Sequence, residues 1–305
     1  MTSPRFELTA AFPVYLRLEA ALAAGDWPAV EQFFATIPDD GMTVAVRVVA
    51  KVKGVEEFLR RVPPSRLSRL LLAARHIVHA WEIRSDKLAK HVSAEQFAGM
   101  HEQLRSAEAI LIDLTAADPS DVLAWRERIT VCQGLGLGQS EARRRYDRLA
   151  RADPHHFSGQ SALAQQLCPK WGGSWDSLHG FARECLDAAP PGSLCATVVA
   201  EAHLEHAHNI NDKDKRREYL AGVEAELDAA ARKSLFHPAF RPVPGWVEAH
   251  GVFAILSSWA GNPHKAAVHF RALGDLASDY PWSWCYKNPA AGFEELRSAA
   301  VGGNG

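Results

Sequence analysis

The sequence predicts an all-α protein built as an array of antiparallel helical hairpins, and three observations lead to this prediction. Alanine, leucine, glutamate and arginine, which are strong helix formers, fill much of the 305-residue chain. Alternating apolar and polar residues, which are typical of strands, are scarce. In the middle third, a spacing of small, large and proline residues recurs, as expected of repeated helical hairpins.

Three segments share a small residue, a large side chain four positions later, and a proline near position +12. They are Ala107, Leu111 and Pro119; Ala142, Tyr146 and Pro154; and Ser177, Phe181 and, one place late, Pro190. The small residue lets the paired helix approach closely, and the large side chain fills the gap on the same face. With 35 residues between successive large side chains, the pattern is typical of the second helix of a tetratricopeptide-type repeat.

The first third of the chain carries a weaker copy of this pattern. Asp26 is a predicted N-cap, followed by Ala29 and Phe33 at the same small-to-large spacing. Residues 43–52 are rich in β-branched side chains, yet no partner strand with a hairpin turn lies nearby, so they are predicted to form a buried helix. Pro63 and Pro64 interrupt the helical pattern.

The last third carries another weak copy, over residues 261–270, with Asn262 as the predicted N-cap and Pro263 at the first helical position. Three prolines over residues 236–246 predict a long connection before it. We therefore predict one α-solenoid over residues 1–300, divisible into blocks 1–62, 63–235 and 246–300, with a disordered tail over 301–305.

Composition and charge exclude several classes of protein. The 34 basic and 36 acidic residues give a net charge of −2, which argues against a strongly basic nucleic-acid-binding protein. No apolar run approaches the ~20 residues that span a bilayer, and the first residues lack the apolar core of a signal peptide. The five cysteines form no C-x-x-C pair. We expect a soluble, cytoplasmic protein with no membrane contact.

Residues 167–184 resemble a motif of a bacterial group of uncharacterised, tetratricopeptide-related proteins. Its members carry Pro-Arg/Lys-Trp-Gly-Gly-Ser and then a short helix with Phe-Ala, matched here by residues 169–174 and 181–182. The group also tends to carry Trp-Glu-x-Arg upstream, matched by residues 81–84. The resemblance covers about residues 70–210. It implies a helical-repeat fold and no particular activity, because the family has no settled one.

Trp171 and Trp175 flank the Gly-Gly-Ser turn, and two interpretations apply to them. Exposed tryptophans often anchor a bound peptide. Alternatively, the glycines end one helix, Ser174 caps the next, and the tryptophans pack on adjacent helices. We favour the second interpretation, since unusual turns commonly serve backbone geometry.

Residues 203–209 contain three histidines. His203 and His206 are three positions apart, so one helix face presents both imidazoles. His208 lies about 140° away from His203 around the helix. Because a catalytic zinc ion normally needs three protein ligands, we predict no metal and no cofactor here.

Two other motifs have simple explanations. Residues 141–151 contain five arginines, but Ala142 and Tyr146 form the buried stripe, so the arginines are expected on a solvated face and nucleic-acid binding is not expected. Gly134, Gly136 and Gly138 resemble a phosphate-binding loop, yet no strand precedes them and no Gly-Lys-Ser/Thr follows. They predict a loose turn.

The leading functional hypothesis is a non-catalytic scaffold that binds a protein or peptide segment in the concave groove of the array. Glu127, Gln166 and Glu201 occupy polar positions on the first helices of successive hairpins and are candidates for this surface. The two glutamates favour a basic partner. No catalytic residue is assigned, and no oligomeric state is predicted.

The alternative hypothesis is an enzyme or ligand-binding protein. It would use a small-molecule or metal pocket near His203, His206 and the Trp171–Trp175 turn.

Overall fold

The computed structural model describes residues 2–85 and 91–302, and this part of the chain is all-helical, as predicted. It contains eighteen α-helices and no β-strand; an isolated bridge joins Arg5 to Leu276. The chain divides into two compact units: Val14–Gly173, here the N-terminal unit, and Met1–Pro13 with Ser174–Gly305, here the C-terminal unit. The division falls inside the predicted 63–235 block, and the single solenoid over 1–300 stays a prediction.

The N-terminal unit contains nine helices within its described residues. They are α2 (Tyr15–Ala24), α3 (Trp27–Thr36), α4 (Asp39–Lys51), α5 (Val55–Arg61), α6 (Arg66–Arg84), α7 (Ala94–Ala117), α8 (Val122–Leu135), α9 (Gln139–Ala152) and α10 (Phe157–Leu167). A 3₁₀ turn over Pro169–Trp171 follows α10.

Short polar side chains cap α3 and α6, and the cap of α3 is the predicted Asp26. The Asp26 carboxylate accepts from the backbone N–H of Ala29 at 3.0 Å and caps α3. Pro63 and Pro64 separate α5 from α6, and Ser65 then caps α6. Such caps satisfy backbone N–H groups that have no partner within the helix.

The segment rich in β-branched residues is helical, as predicted, because it forms most of α4. Ala45, Val46 and Val49 are buried on one face of this helix. Tertiary burial of that apolar face therefore outweighs the lower helix propensity of valine.

The later helices of the N-terminal unit pack in a regular order. Helices α6 and α7 form one pair, and α8 packs on both of them. Helix α9 then pairs with α8, and α10 packs on both α8 and α9. Each new hairpin thus begins on the two helices of the hairpin before it.

The repeat positions lie in the interior of this packing. Ala107 and Leu111 of α7 are buried, and so are Ala142 and Tyr146 of α9. The small residue and the large side chain thus share the buried face of each helix, as the spacing predicts.

The arginine-rich helix α9 departs from the expected solvated face. Arg145 is only 3% exposed and pairs with Glu108 at 2.8 Å and Glu141 at 2.7 Å. Arg128 of α8 donates to the same Glu108 at 2.7 Å. The expectation was right for Arg143, whose side chain is half exposed. It was wrong for Arg145, because the inward-facing Glu108 requires cationic partners.

The C-terminal unit contains the other nine helices of the described chain. They are α1 (Leu8–Ala11), α11 (Trp175–Ala188), α12 (Val198–Asn209), α13 (Lys213–Gly222), α14 (Glu224–Lys233), α15 (Trp246–Trp259), α16 (Pro263–Leu273), α17 (Asp279–Cys285) and α18 (Pro289–Val301). A 3₁₀ turn over Leu194–Thr197 leads into α12.

Helix α15 lies at the centre of this unit. Its residues are buried almost continuously over 249–256, and it packs against α12, α13, α16 and α17. The predicted long connection joins α14 to α15, and Asn262 caps α16 with Pro263 in its first turn.

Helix α18 continues to Val301, so the start of the predicted tail is helical. Residues 303–305 of that tail lie outside the described residues. No helix in the described part of the chain is both long enough and apolar enough to cross a membrane.

The buried ion pairs of Glu108 give a stability prediction. Glu108→Ala should lower the free energy of unfolding by about 3 kcal/mol, because it leaves buried arginine charge without its partner. Asp113→Ala, on the same helix, removes an exposed carboxylate paired with Arg69 and should change stability little. Urea titration followed by far-UV circular dichroism measures both. Equal losses in the two variants would contradict this interpretation.

Candidate functional site

Four helices of the C-terminal unit bring titratable and aromatic side chains into one group, here the histidine cluster. Helix α11 contributes two of its residues and α12 two more, while α13 and α14 contribute one each. Its members are Trp175, His179, His203, His206, Tyr219 and Glu226. The predicted pair on α12 therefore joins partners from three other helices.

Local sequence explains how α11 presents its two rings. The Ser174 hydroxyl accepts from the backbone N–H of Ser177 at 3.1 Å and starts the helix, as predicted. Trp175 then lies in the first turn, and His179 lies four positions later on the same face.

A carboxylate, an imidazole and a phenol form a hydrogen-bonded chain at the centre of the cluster. Glu226 Oε2 lies 2.9 Å from His203 Nε2, and His203 Nδ1 lies 2.6 Å from the Tyr219 hydroxyl. An ionised carboxylate only accepts, so His203 Nε2 carries the proton. Nδ1 of the neutral ring then accepts from Tyr219.

The chain continues through the other two histidines. The Tyr219 hydroxyl donates its one proton to His203 Nδ1. In its 3.3 Å contact with His179 Nε2 the hydroxyl oxygen must therefore accept, so His179 Nε2 is the donor. The same N–H points at His206 Nδ1, 2.9 Å away. His206 therefore carries its proton on Nε2. Its ring stacks on Trp175 with 4.2 Å between centroids and 2° between planes.

Burial controls the ionisation of the three imidazoles. It lowers the pKa of His179 to about 4, with His203 and His206 adding to the shift. Burial also lowers the pKa of His203, which Glu226 only partly offsets, and it lowers the pKa of His206. For Tyr219, burial followed by the charge of Glu226 raises the pKa well above its ordinary value.

For the Glu226 carboxyl, hydrogen bonds together have a larger effect on the pKa than burial has. Burial raises its pKa, but hydrogen bonds from Arg183 and His203 outweigh burial, so its pKa lies below the ordinary value. The cluster at pH 7 therefore holds one ionised carboxylate, three neutral imidazoles and a protonated phenol. This state agrees with the hydrogen-bond directions deduced from the geometry.

The cluster is better suited to hydrogen bonding than to holding an ion. In residues 2–85 and 91–302, no group of three or more His, Cys, Asp or Glu side chains could hold a metal ion. The imidazole nitrogens on the inside of the cluster already bond to one another and to Tyr219. His206 Nε2–H and Trp175 Nε1–H have no acceptor among the described residues, and the two rings that carry them are stacked.

Trp171 belongs to the N-terminal unit, whereas the histidine cluster belongs to the C-terminal unit. Its ring meets Trp81 edge to face with 6.0 Å between centroids. Gly172 ends the 3₁₀ turn with φ of 83°, which glycine adopts without strain. A Cβ on Gly173 would lie 2.0 Å from the carbonyl oxygen of Leu167. The packed-turn interpretation accounts for both glycines.

Gln166 is 2% exposed, which differs from the concave-surface position expected of it. Gln139 Nε2 donates to the backbone carbonyls of Gln166 at 2.7 Å and Trp171 at 2.9 Å. This leaves Gln139 Oε1, Gln166 Oε1 and Trp171 Nε1 buried without a partner among the described residues. The turn therefore encloses several polar groups that lack hydrogen-bond partners.

Glu127 also differs from the exposed position expected of it, whereas the surface role expected of Glu201 stays a prediction. Glu127 is only 6% exposed and accepts from Arg126 Nη1 at 2.8 Å, so it does not lie on an open surface. Its helix turns this position inward, where Arg126 neutralises the carboxylate. Glu201, on α12 of the C-terminal unit, is half-buried.

Sequence reasoning missed His179, Tyr219 and Glu226. One signal for His179 was available, because its spacing of four from Trp175 places both rings on one face of a helix. Tyr219 and Glu226 lie on separate helices that the sequence does not link to residues 203–209. Their contribution depends on how α13 and α14 pack beside α12.

The ionisation of His179 gives a pH prediction. Its NMR resonance, assigned with His179→Gln, should titrate with a midpoint near pH 4 instead of the ordinary 6.5. The unfolded chain then binds more protons between these values, so stability is full above pH 6.5 and falls as pH decreases through this window. A midpoint above pH 6 would contradict the buried, neutral ring.

The close approach at Gly173 gives a second prediction. Gly173→Ala should lower the free energy of unfolding by about 3 kcal/mol, because the new methyl group forces the backbone apart. Gly180→Ala on α11 meets no atom within 4 Å and should raise stability by up to about 1 kcal/mol. Thermal unfolding measures both; a stable Gly173→Ala protein would show that the turn is not constrained.

No match was found when the chain was compared with protein-family models, with curated proteins and with solved structures. The resemblance based on residues 167–184 and 81–84 therefore stays a prediction.

Proposed function

We propose that this chain is a non-catalytic scaffold that binds a segment of another protein. The observation that carries the proposal is the order of packing over α6 to α10, where each hairpin begins on both helices of the previous one. Arrays of the tetratricopeptide type are built in this way and leave one continuous surface along their first helices. The buried small and large residues at the repeat positions support the same assignment.

The ionisation of the histidine cluster supports binding in preference to catalysis. A general acid or base works best when its pKa lies near the operating pH. The pKa of His179 is about 4 and that of Tyr219 is raised, so neither group is poised to exchange a proton at pH 7. The cluster offers fixed hydrogen bonds instead.

The charge of the partner and the cellular compartment rest on separate observations. The expectation of a basic partner rested on Glu127 and Glu201, and the pairing of Glu127 with Arg126 removes one of these. We therefore leave basic charge out of the proposal. All five cysteines are free thiols, which supports a reducing compartment such as the cytoplasm.

A second candidate is a small-ligand site at the histidine cluster. It is favoured by the parallel stack of Trp175 and His206, whose two ring N–H groups have no acceptor among the described residues. A flat molecule with acceptor atoms offers partners to these donors.

Peptide selection tests the scaffold proposal. The full chain is panned with a phage-displayed library of random 16-residue peptides, and enriched peptides are titrated by fluorescence polarisation. We expect peptides with a shared pattern of anchors that bind the folded chain and not the urea-unfolded chain. Failure of repeated selections to enrich any sequence would contradict the proposal.

Native mass spectrometry tests the second candidate. A small-molecule ligand should appear as a mass excess on the purified chain that denaturation removes. The excess should be absent from Trp175→Ala and retained in Trp284→Ala, which truncates another tryptophan of the same unit that lies 41% exposed. A bare wild-type mass, or equal retention in both variants, would overturn this candidate.

A further inference from the structure

The C-terminal unit contains a cavity of about 250 Å³. Helices α13, α14, α15 and α16 line it. Phe253 and Leu256 of α15 are buried and contribute apolar wall. Phe236 and Val268 line the same space, yet they are 44% and 42% exposed, so the cavity opens to the surface.

The size and lining of this cavity fit one aromatic side chain. An apolar cavity of about 150 Å³ is large enough to bind benzene, so 250 Å³ accommodates an indole. His269 lies in the wall, where its ring stacks on Phe253 with 5.1 Å between centroids. Burial lowers the pKa of His269 well below its ordinary value, so this imidazole is neutral at pH 7.

Charged residues along one face of α14 line the cavity. Glu224, Asp228 and Arg232 follow one another at intervals of four residues, and all three line the cavity. They span about 12 Å at 1.5 Å per residue, which corresponds to roughly two helical turns. An elongated partner of that length can lie along α14.

Charge differs between the two ends of this face. Lys265 of α16 lies 2.7 Å from Glu224 and 2.6 Å from Asp228. One lysine therefore serves two carboxylates, which leaves a net negative charge at that end. Arg232 is exposed and has no acidic partner among the described residues. The opening is thus acidic at one end and basic at the other.

We infer that this cavity docks an amphipathic helix of another protein, which inserts one aromatic anchor beside Phe236 and Val268 and carries a basic residue toward Glu224 and Asp228 and an acidic residue toward Arg232. The inference rests on the proposed scaffold function and names its partner class. Apolar anchors in grooves supply most of the affinity of such complexes, and end charges set specificity.

Three labelled peptides test this docking. Each is an alanine-rich, 16-residue helix with a central tryptophan, and the positions four residues before and after it carry Lys and Glu, Lys and Lys, or Glu and Glu. Fluorescence polarisation with the full chain should rank the Lys/Glu peptide tightest. In Arg232→Glu, the preference should move to the Lys/Lys peptide, whichever direction the helix runs.

Two matched variants locate the binding. Val268→Arg places a charge at the mouth of the cavity and should weaken binding by about tenfold or more. Val301→Arg makes the same change at a valine of α18 that is 38% exposed and should leave affinity within about twofold. Circular dichroism should give the same helical content for both variants and wild type.

The outcomes separate this inference from the scaffold proposal. If the peptides bind Val268→Arg as tightly as wild type, the cavity is not the docking site, although peptide binding itself stands. If none of the three binds, or if a small aromatic dye such as anilinonaphthalene sulfonate alone occupies the cavity, the docked helix is overturned. The scaffold proposal is then tested separately, by the selection from the peptide library.

Discussion

The hydrogen bond between Glu226 and His203 determines the state of the whole histidine cluster. Because the carboxylate only accepts, it fixes the proton of His203 on Nε2 and makes Nδ1 an acceptor for Tyr219. That choice forces His179 to donate and leaves His206 with a proton on its outer nitrogen. One chain of hydrogen bonds, with a fixed order of donors and acceptors, thereby links helices α11 to α14.

In the N-terminal unit, buried polar groups are likewise paired, and there the partners are oppositely charged. Glu108 enters the interior with α7, and Arg128 and Arg145 follow it inward from α8 and α9. Burying these groups is tolerable only when they are paired, because an unpaired buried charge is costly. Regular helix packing therefore depends on polar pairing as well as on the apolar repeat positions.

Much of the fold could be predicted from the sequence, because its signals are local. The caps at Asp26 and Asn262 and the break at Pro63 act within a few residues. The candidate site was harder, since Tyr219 and Glu226 reach His203 only through packing of separate helices. Glu127 and Gln166 are buried although exposed positions were expected of them, because polar character alone does not reveal a buried partner.

The proposed binding role accounts for the fixed hydrogen bonds, the neutral imidazoles and the open cavity of the C-terminal unit. Hydrogen–deuterium exchange with a library-selected peptide tests this central claim most directly, when the peptide is afterwards recovered and weighed. The account predicts slower exchange over a few neighbouring helices and an unaltered peptide mass. Unchanged exchange under saturating peptide, or a peptide that is cleaved or modified, would contradict it.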